Sequence, residues 1–137
     1  MATTNTNLSN YNPSTLPDAT KLRFGIVVSE WNSVITEGLL VGARDTFLNC
    51  GVPDENIKTI YVPGSFELIF GAKKMQEQAL DAVIVIGSVI KGETQHFDFV
   101  CEGVTQGIKD LNVLNNVPVI FCVLTDNNFQ QSIDRSG

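Results

Sequence analysis

The feature that most limits how this chain can fold is a regular alternation of short apolar runs with longer amphipathic segments. Four runs carry it: Leu22–Val28 (LRFGIVV), Ile57–Val62 (IKTIYV), Ala82–Ile86 (AVIVI) and Val117–Leu124 (VPVIFCVL). The third is apolar at every position, as a strand buried on both faces must be. Between the runs, apolar residues recur at helical spacing. Ile35, Leu39, Ala43 and Phe47 fall on one face, with Asn32 or Ser33 expected as the cap and Gly51 beyond the end. After Pro63-Gly64, Ser65 is the expected N-cap of a helix that turns Phe66, Ile69, Phe70 and Met75 inward and Lys73, Lys74 and Glu77 outward. A helix over about 94–111 carries the stripe Val100, Val104, Ile108 and Leu111. A short last helix, capped by Thr125 or Asp126, carries Phe129 and Ile133.

The order β-α-β-α-β-α-β-α requires parallel pairing and right-handed crossovers. The expected fold is α/β: a three-layer sandwich with a four-stranded parallel sheet and helices on both faces. With 137 residues the chain makes a single domain, read as residues 21–137 behind an N-terminal arm at 1–20 rich in Ser, Thr, Asn and Pro.

Charge and composition remove several function classes. The net charge is -6, with nine Lys plus Arg, which disfavours binding to nucleic acid or to an anionic membrane surface. No apolar run is long enough to span a bilayer, and the polar start MATTNTNLSNYNPST has no secretory pattern, so a cytoplasmic location is expected. Cys50, Cys101 and Cys122 are odd in number and form no CxxC pair, and they read as buried free thiols in a reducing compartment. With His96 the only histidine, no metal site is expected.

Open parallel sheets bind ligands outside the carboxyl ends of their strands. That rule selects 29–32, 63–67, 87–96 and 125–126, and the only Trp and the only His both fall inside these segments. Gly92-Glu93-Thr94 opens a helix, where free N–H groups and the dipole make an anion seat, or where Thr94 simply caps. His96, one turn in, suits proton transfer beside that seat, or is a histidine without a task. Trp31 either stacks on a planar heterocycle or staples the following helix. Glu67 either accepts hydrogen bonds from substrate hydroxyls or is an ordinary first-turn acid. Phe121 reads as core, and Arg135 as a phosphate partner or a solvated terminal side chain. Neither a Walker loop nor a G-x-S-x-G elbow is present.

Read together, VSEWN, VPGSFELIFGAKKM, IGSVIKGETQHFDFVCEGVTQGI and VPVIFCVLTDNNFQQSIDRSG resemble the 6,7-dimethyl-8-ribityllumazine synthases of riboflavin biosynthesis, from about Lys21 onward. The resemblance implies a flavodoxin-like sandwich. It also implies a reaction joining 5-amino-6-(D-ribitylamino)uracil to 3,4-dihydroxy-2-butanone 4-phosphate, with loss of phosphate and water and without cofactor or metal. On that basis Trp31 stacks on the pyrimidine, Ser65, Phe66 and Glu67 hold the ribityl chain, and the backbone of Ser88, Val89 and Ile90 grips the pyrimidine edge. Gly92, Glu93 and Thr94 seat the phosphate with Arg135, and His96 transfers protons. Phe121 and Arg135 are supplied by an adjacent subunit, so the implied partner is a second copy in a pentamer or a multiple of one.

The family's pattern continues past this arginine with a GNKG-type segment and a long closing helix, which this sequence lacks, so a C-terminal truncation is expected. An alternative function is then a catalytically impaired, self-assembling scaffold. A flavin-binding module is a further alternative, disfavoured because no Ser/Thr-rich phosphate loop follows the first run. Family members form pentamers and, in some cases, larger shells in which the arm adds a strand to a neighbour. Pro13 and Pro17 would interrupt such a strand, which favours a pentamer or decamer.

Overall fold

In the computed structural model, which describes residues 11–137, strands β1 (Phe24–Ser29), β2 (Ile57–Val62), β3 (Ala82–Ile90) and β4 (Val119–Asp126) alternate with helices. The helices are α1 (Ser33–Asn49), α2 (Leu68–Gln76), α3 (His96–Leu114) and α4 (Phe129–Ile133). All strand pairings are parallel and the order across the sheet is β2-β1-β3-β4. The expected three-layer α/β sandwich is the observed one. The first ten residues of the segment read as an arm lie outside the described residues.

Side chains alternate along each strand, so every strand feeds both faces. Val27, Val83, Val85, Val119 and Val123 pack against Leu68, Ala72 and Met75 of α2 and Val104, Ile108 and Leu111 of α3. On the opposite face Ile26, Val28, Ile57 and Ile86 pack with Leu40 of α1, Val52 and Ala19. The inner strands are sealed: Ile26, Val27, Val28, Val83, Val85 and Ile86 expose no surface. Each such side chain stabilises the fold by about 1.5–3 kcal/mol relative to leaving it in water. Ala19 shows that packing already begins within the segment read as an arm.

Several local expectations are corrected. β3 extends beyond the all-apolar run to Ile90, because Gly87 to Ile90 keep pairing with Val123 to Asp126 of β4. α2 begins at Leu68 and buries Leu68, Gly71, Ala72 and Met75. That phase leaves Phe70 exposed at 65%, with the Lys74 ammonium 5.7 Å from its ring centre. Phe66 precedes the helix and is 53% exposed, its ring lying over Gly103 of α3. Ser65 is two residues too early to cap with its side chain; instead its carbonyl accepts from Leu68 N at 3.3 Å. α4 is capped by Asn128, whose Oδ1 accepts from Gln131 N at 3.0 Å, and not by Thr125 or Asp126. The three cysteines are free but only half-buried. Burial raises the Cys122 thiol pKa, and burial followed by the Asp98 charge raises that of Cys101. No helix among the described residues is long and apolar enough to cross a membrane.

Candidate active site

Strand order reverses direction between β1 and β3. The segment after β1 leads to α1 on one face, and the segment after β3 leads to α3 on the other. The two segments part there and leave a crevice at the carboxyl rim. A cleft of about 800 Å³ opens at this place. Trp31 and Asn32 line it from β1, Pro63 to Glu67 from β2, and Ser88 to Ile90 from β3, followed by Gly92, Thr94 and His96.

Hydrogen bonds stitch this rim together. Glu30 N donates to Val62 O at 2.9 Å and Trp31 N to Pro63 O at 3.2 Å, tying the end of β1 to the end of β2. Asn32 Nδ2 donates to Ser88 O at 2.9 Å, crossing to β3. Lys91 N donates to Asp126 O at 2.9 Å, tying β3 to β4. The cleft is therefore bounded by backbone whose positions are coupled.

Trp31 is 71% exposed at the mouth of the cleft, so its indole has a free face for a planar ligand. Across the crevice, α3 starts at His96, slightly later than expected. The Thr94 hydroxyl accepts from His96 N at 3.3 Å, which folds the preceding segment into the helix entrance. Among the described residues, none accepts from the backbone N–H of Gly92, Glu93 or Thr94. These donors precede the positive end of a 19-residue helix, a place where backbone N–H groups and the dipole favour an anion, and His96 opens that helix. On the β2 side, Ser65 is buried and the Glu67 carboxylate borders the cleft.

The seat of Ser65 depends on Gly87. A methyl group added at Gly87 would stand 2.7 Å from Ser65 Oγ and 2.9 Å from Leu68 Cδ1. Only a residue without a side chain lets the 63–67 segment approach β3 this closely.

Eleven of the thirteen residues selected from sequence can be placed simply: Trp31, Ser65, Phe66, Glu67, Ser88, Val89, Ile90, Gly92, Thr94 and His96 line the cleft, and Glu93 sits exposed beside it without lining it. Phe121 and Arg135 lie outside the cleft of their own chain. Phe121 is half-exposed on β4, at the sheet edge. Arg135, just past α4, donates from Nη1 to Gln131 O at 2.7 Å.

Sequence reasoning missed Asn32 as a site residue. It stands where a cap was expected, but its side chain makes no cap bond. Its backbone is left-handed (φ 59°, ψ 45°), the only non-glycine positive φ among the described residues. Asn is among the few side chains that tolerate that region, and this was the available signal. The apolar wall formed by Phe97, Phe99 and Val100 was also missed, because a helical stripe reads as core until its neighbour is known.

Comparison with known proteins identifies the family. The family model described as 6,7-dimethyl-8-ribityllumazine synthase matches residues 21–137. A protein of that name from Flavobacterium johnsoniae is 70% identical over all of this chain and 73% of its own length. One from Flavobacterium psychrophilum is 66% identical with the same coverage. One from Christiangramia forsetii is 63% identical over all of this chain and 83% of its own. The parallel sheet, the switch-point cleft and these matches lead to one assignment: the chain belongs to the 6,7-dimethyl-8-ribityllumazine synthase family.

Proposed function

We propose that the cleft between the ends of β1 and β3 is the site at which this transferase of riboflavin biosynthesis makes 6,7-dimethyl-8-ribityllumazine. The substrates are 5-amino-6-(D-ribitylamino)uracil and 3,4-dihydroxy-2-butanone 4-phosphate. The observation that carries the assignment is the joint placement of an open indole face, an anion cradle and an imidazole around one crevice. Trp31 stacks on the pyrimidine, and the backbone of Ser88, Val89 and Ile90 meets its polar edge. Ser65, Phe66 and Glu67 hold the ribityl chain. The N–H groups of Gly92, Glu93 and Thr94 take the phosphate; Glu93 acts through its backbone because a carboxylate would repel that anion.

In this arrangement the pyrimidine's amine meets the ketone carbon and loses water to form an imine. Elimination of phosphate and closure of the second ring, with loss of another water, complete the product. Orientation supplies most of the acceleration, and His96 moves the protons. Phe121 and Arg135 come from an adjoining copy in this reading, which is compatible with their lying outside the cleft of their own chain. A pentamer or a multiple of it provides that neighbour. A cytoplasmic setting accords with three unbridged cysteines.

Incubating the purified protein with both substrates tests the proposal. Product fluorescence with stoichiometric phosphate release is expected. An intact assembly that forms no product would overturn it in favour of the scaffold.

A further inference from the structure

Arg135 is held along one side only. Its Nη1 donates to Gln131 O at 2.7 Å, and its Nε lies 3.7 Å from Asp126 Oδ1. A guanidinium has five N–H donors. These two contacts leave both donors of Nη2 and one of Nη1 free, and that edge grips an oxyanion with two parallel bonds. The side chain remains 37% exposed.

Asp126 is itself fixed. It is 8% exposed at the end of β4, and its Oδ2 accepts from Ser132 Oγ at 2.9 Å. Ser132 is fully buried within α4. A strand end and a short helix thus lock one carboxylate, and that carboxylate faces the guanidinium. A five-residue helix has little stability of its own, so Arg135 needs such an anchor to hold one direction.

We propose that Asp126, braced by Ser132, is a positioning residue that aims the free edge of Arg135 at the substrate phosphate in an adjoining copy's cleft. The proposal rests on the role given to Arg135 above. The bond from Lys91 N to the Asp126 carbonyl is made by the main chain and survives removal of the side chain, whereas the Ser132 bond is lost with it, so a selective effect on the phosphorylated substrate is what distinguishes positioning from a structural role.

The test is steady-state kinetics on Asp126→Ala, Arg135→Ala and the double variant. Asp126→Ala should raise KM for the phosphorylated substrate about tenfold while changing KM for the pyrimidine less than about twofold. In the Arg135→Ala background the same change should add nothing. Ser132→Ala, which keeps the carboxylate, should shift the same KM by a smaller factor, and it serves if Asp126→Ala fails to fold. Equal rises in both KM values, additive effects in the double variant, or no shift in any Asp126 or Ser132 variant would overturn the proposal. If Arg135→Ala leaves the KM for the phosphorylated substrate unchanged, the role of Arg135 fails first and this inference falls with it.

Discussion

Asn32 Nδ2 donates to Ser88 O across 2.9 Å, joining the segment after β1 to the strand on the other side of the switch point. Asn32 supplies both a left-handed backbone and a hydrogen bond, and the two contributions are separable. Asn32→Gly keeps the backbone geometry and loses the bond, at a cost of about 1 kcal/mol. Asn32→Ala loses the bond and adds left-handed strain of roughly 1–2 kcal/mol. Urea unfolding should therefore rank Asn above Gly above Ala. A glycine variant less stable than the alanine variant would contradict this account of the turn.

His96→Ala should slow turnover by about 10²–10⁴, the usual contribution of a positioned acid–base group. Pyrimidine binding, measured by fluorescence titration, should be nearly unchanged. Unaltered turnover would remove the proton-transfer role.

Trp31→Ala removes the exposed indole at the mouth of the cleft. Stacking beyond simple burial is worth about 0.5–1.5 kcal/mol, so heterocycle affinity should fall by up to about tenfold. Affinity for inorganic phosphate should stay the same. Equal losses for both ligands would argue against stacking.

Gly87→Ala forces a methyl against Ser65 Oγ and Leu68 Cδ1. Overpacking of this kind costs typically about 1–3 kcal/mol. The displaced wall should raise KM for the ribityl substrate more than for the phosphorylated one. Thermal melting and kinetics together check it, and an unaffected KM would show that the 63–67 segment does not hold the ribityl chain.

Burial raises the Cys122 thiol pKa above its ordinary value of 9.0. The folded protein then keeps a proton that the unfolded chain releases first. The contribution of this group to stability is fully present below the ordinary thiol value and is lost as pH rises from there through the folded-state value. Unfolding free energies at alkaline pH should decline less for Cys122→Ala than for the parent chain.

The fold was legible because its constraint is local and repeated. AVIVI has no polar position, so it had to be an inner strand, and the alternation with helical stripes then fixed parallel pairing. Phe66 and Phe70 were misread because helical phase depends on where the helix starts, and Leu68, not Ser65, sets that start. The carboxyl-end rule located Trp31 and His96 without geometry. It selected the segment holding Asn32 but could not reveal that side chain's bond to Ser88, 56 residues away. Arg135 shows the opposite limit: the chemistry of its side chain is plain, but its contacts with Gln131 and Asp126 emerge only from the fold.

The central claim is that each site combines the cleft of one chain with Phe121 and Arg135 of another. Co-assembly of His96→Ala subunits with Arg135→Ala subunits tests it directly. Shared sites predict recovered product formation, with about a quarter of the sites fully equipped after random equal mixing. If both residues served the cleft of their own chain, no site in the mixture would carry both, and activity no higher than that of the two separate variants would contradict the account.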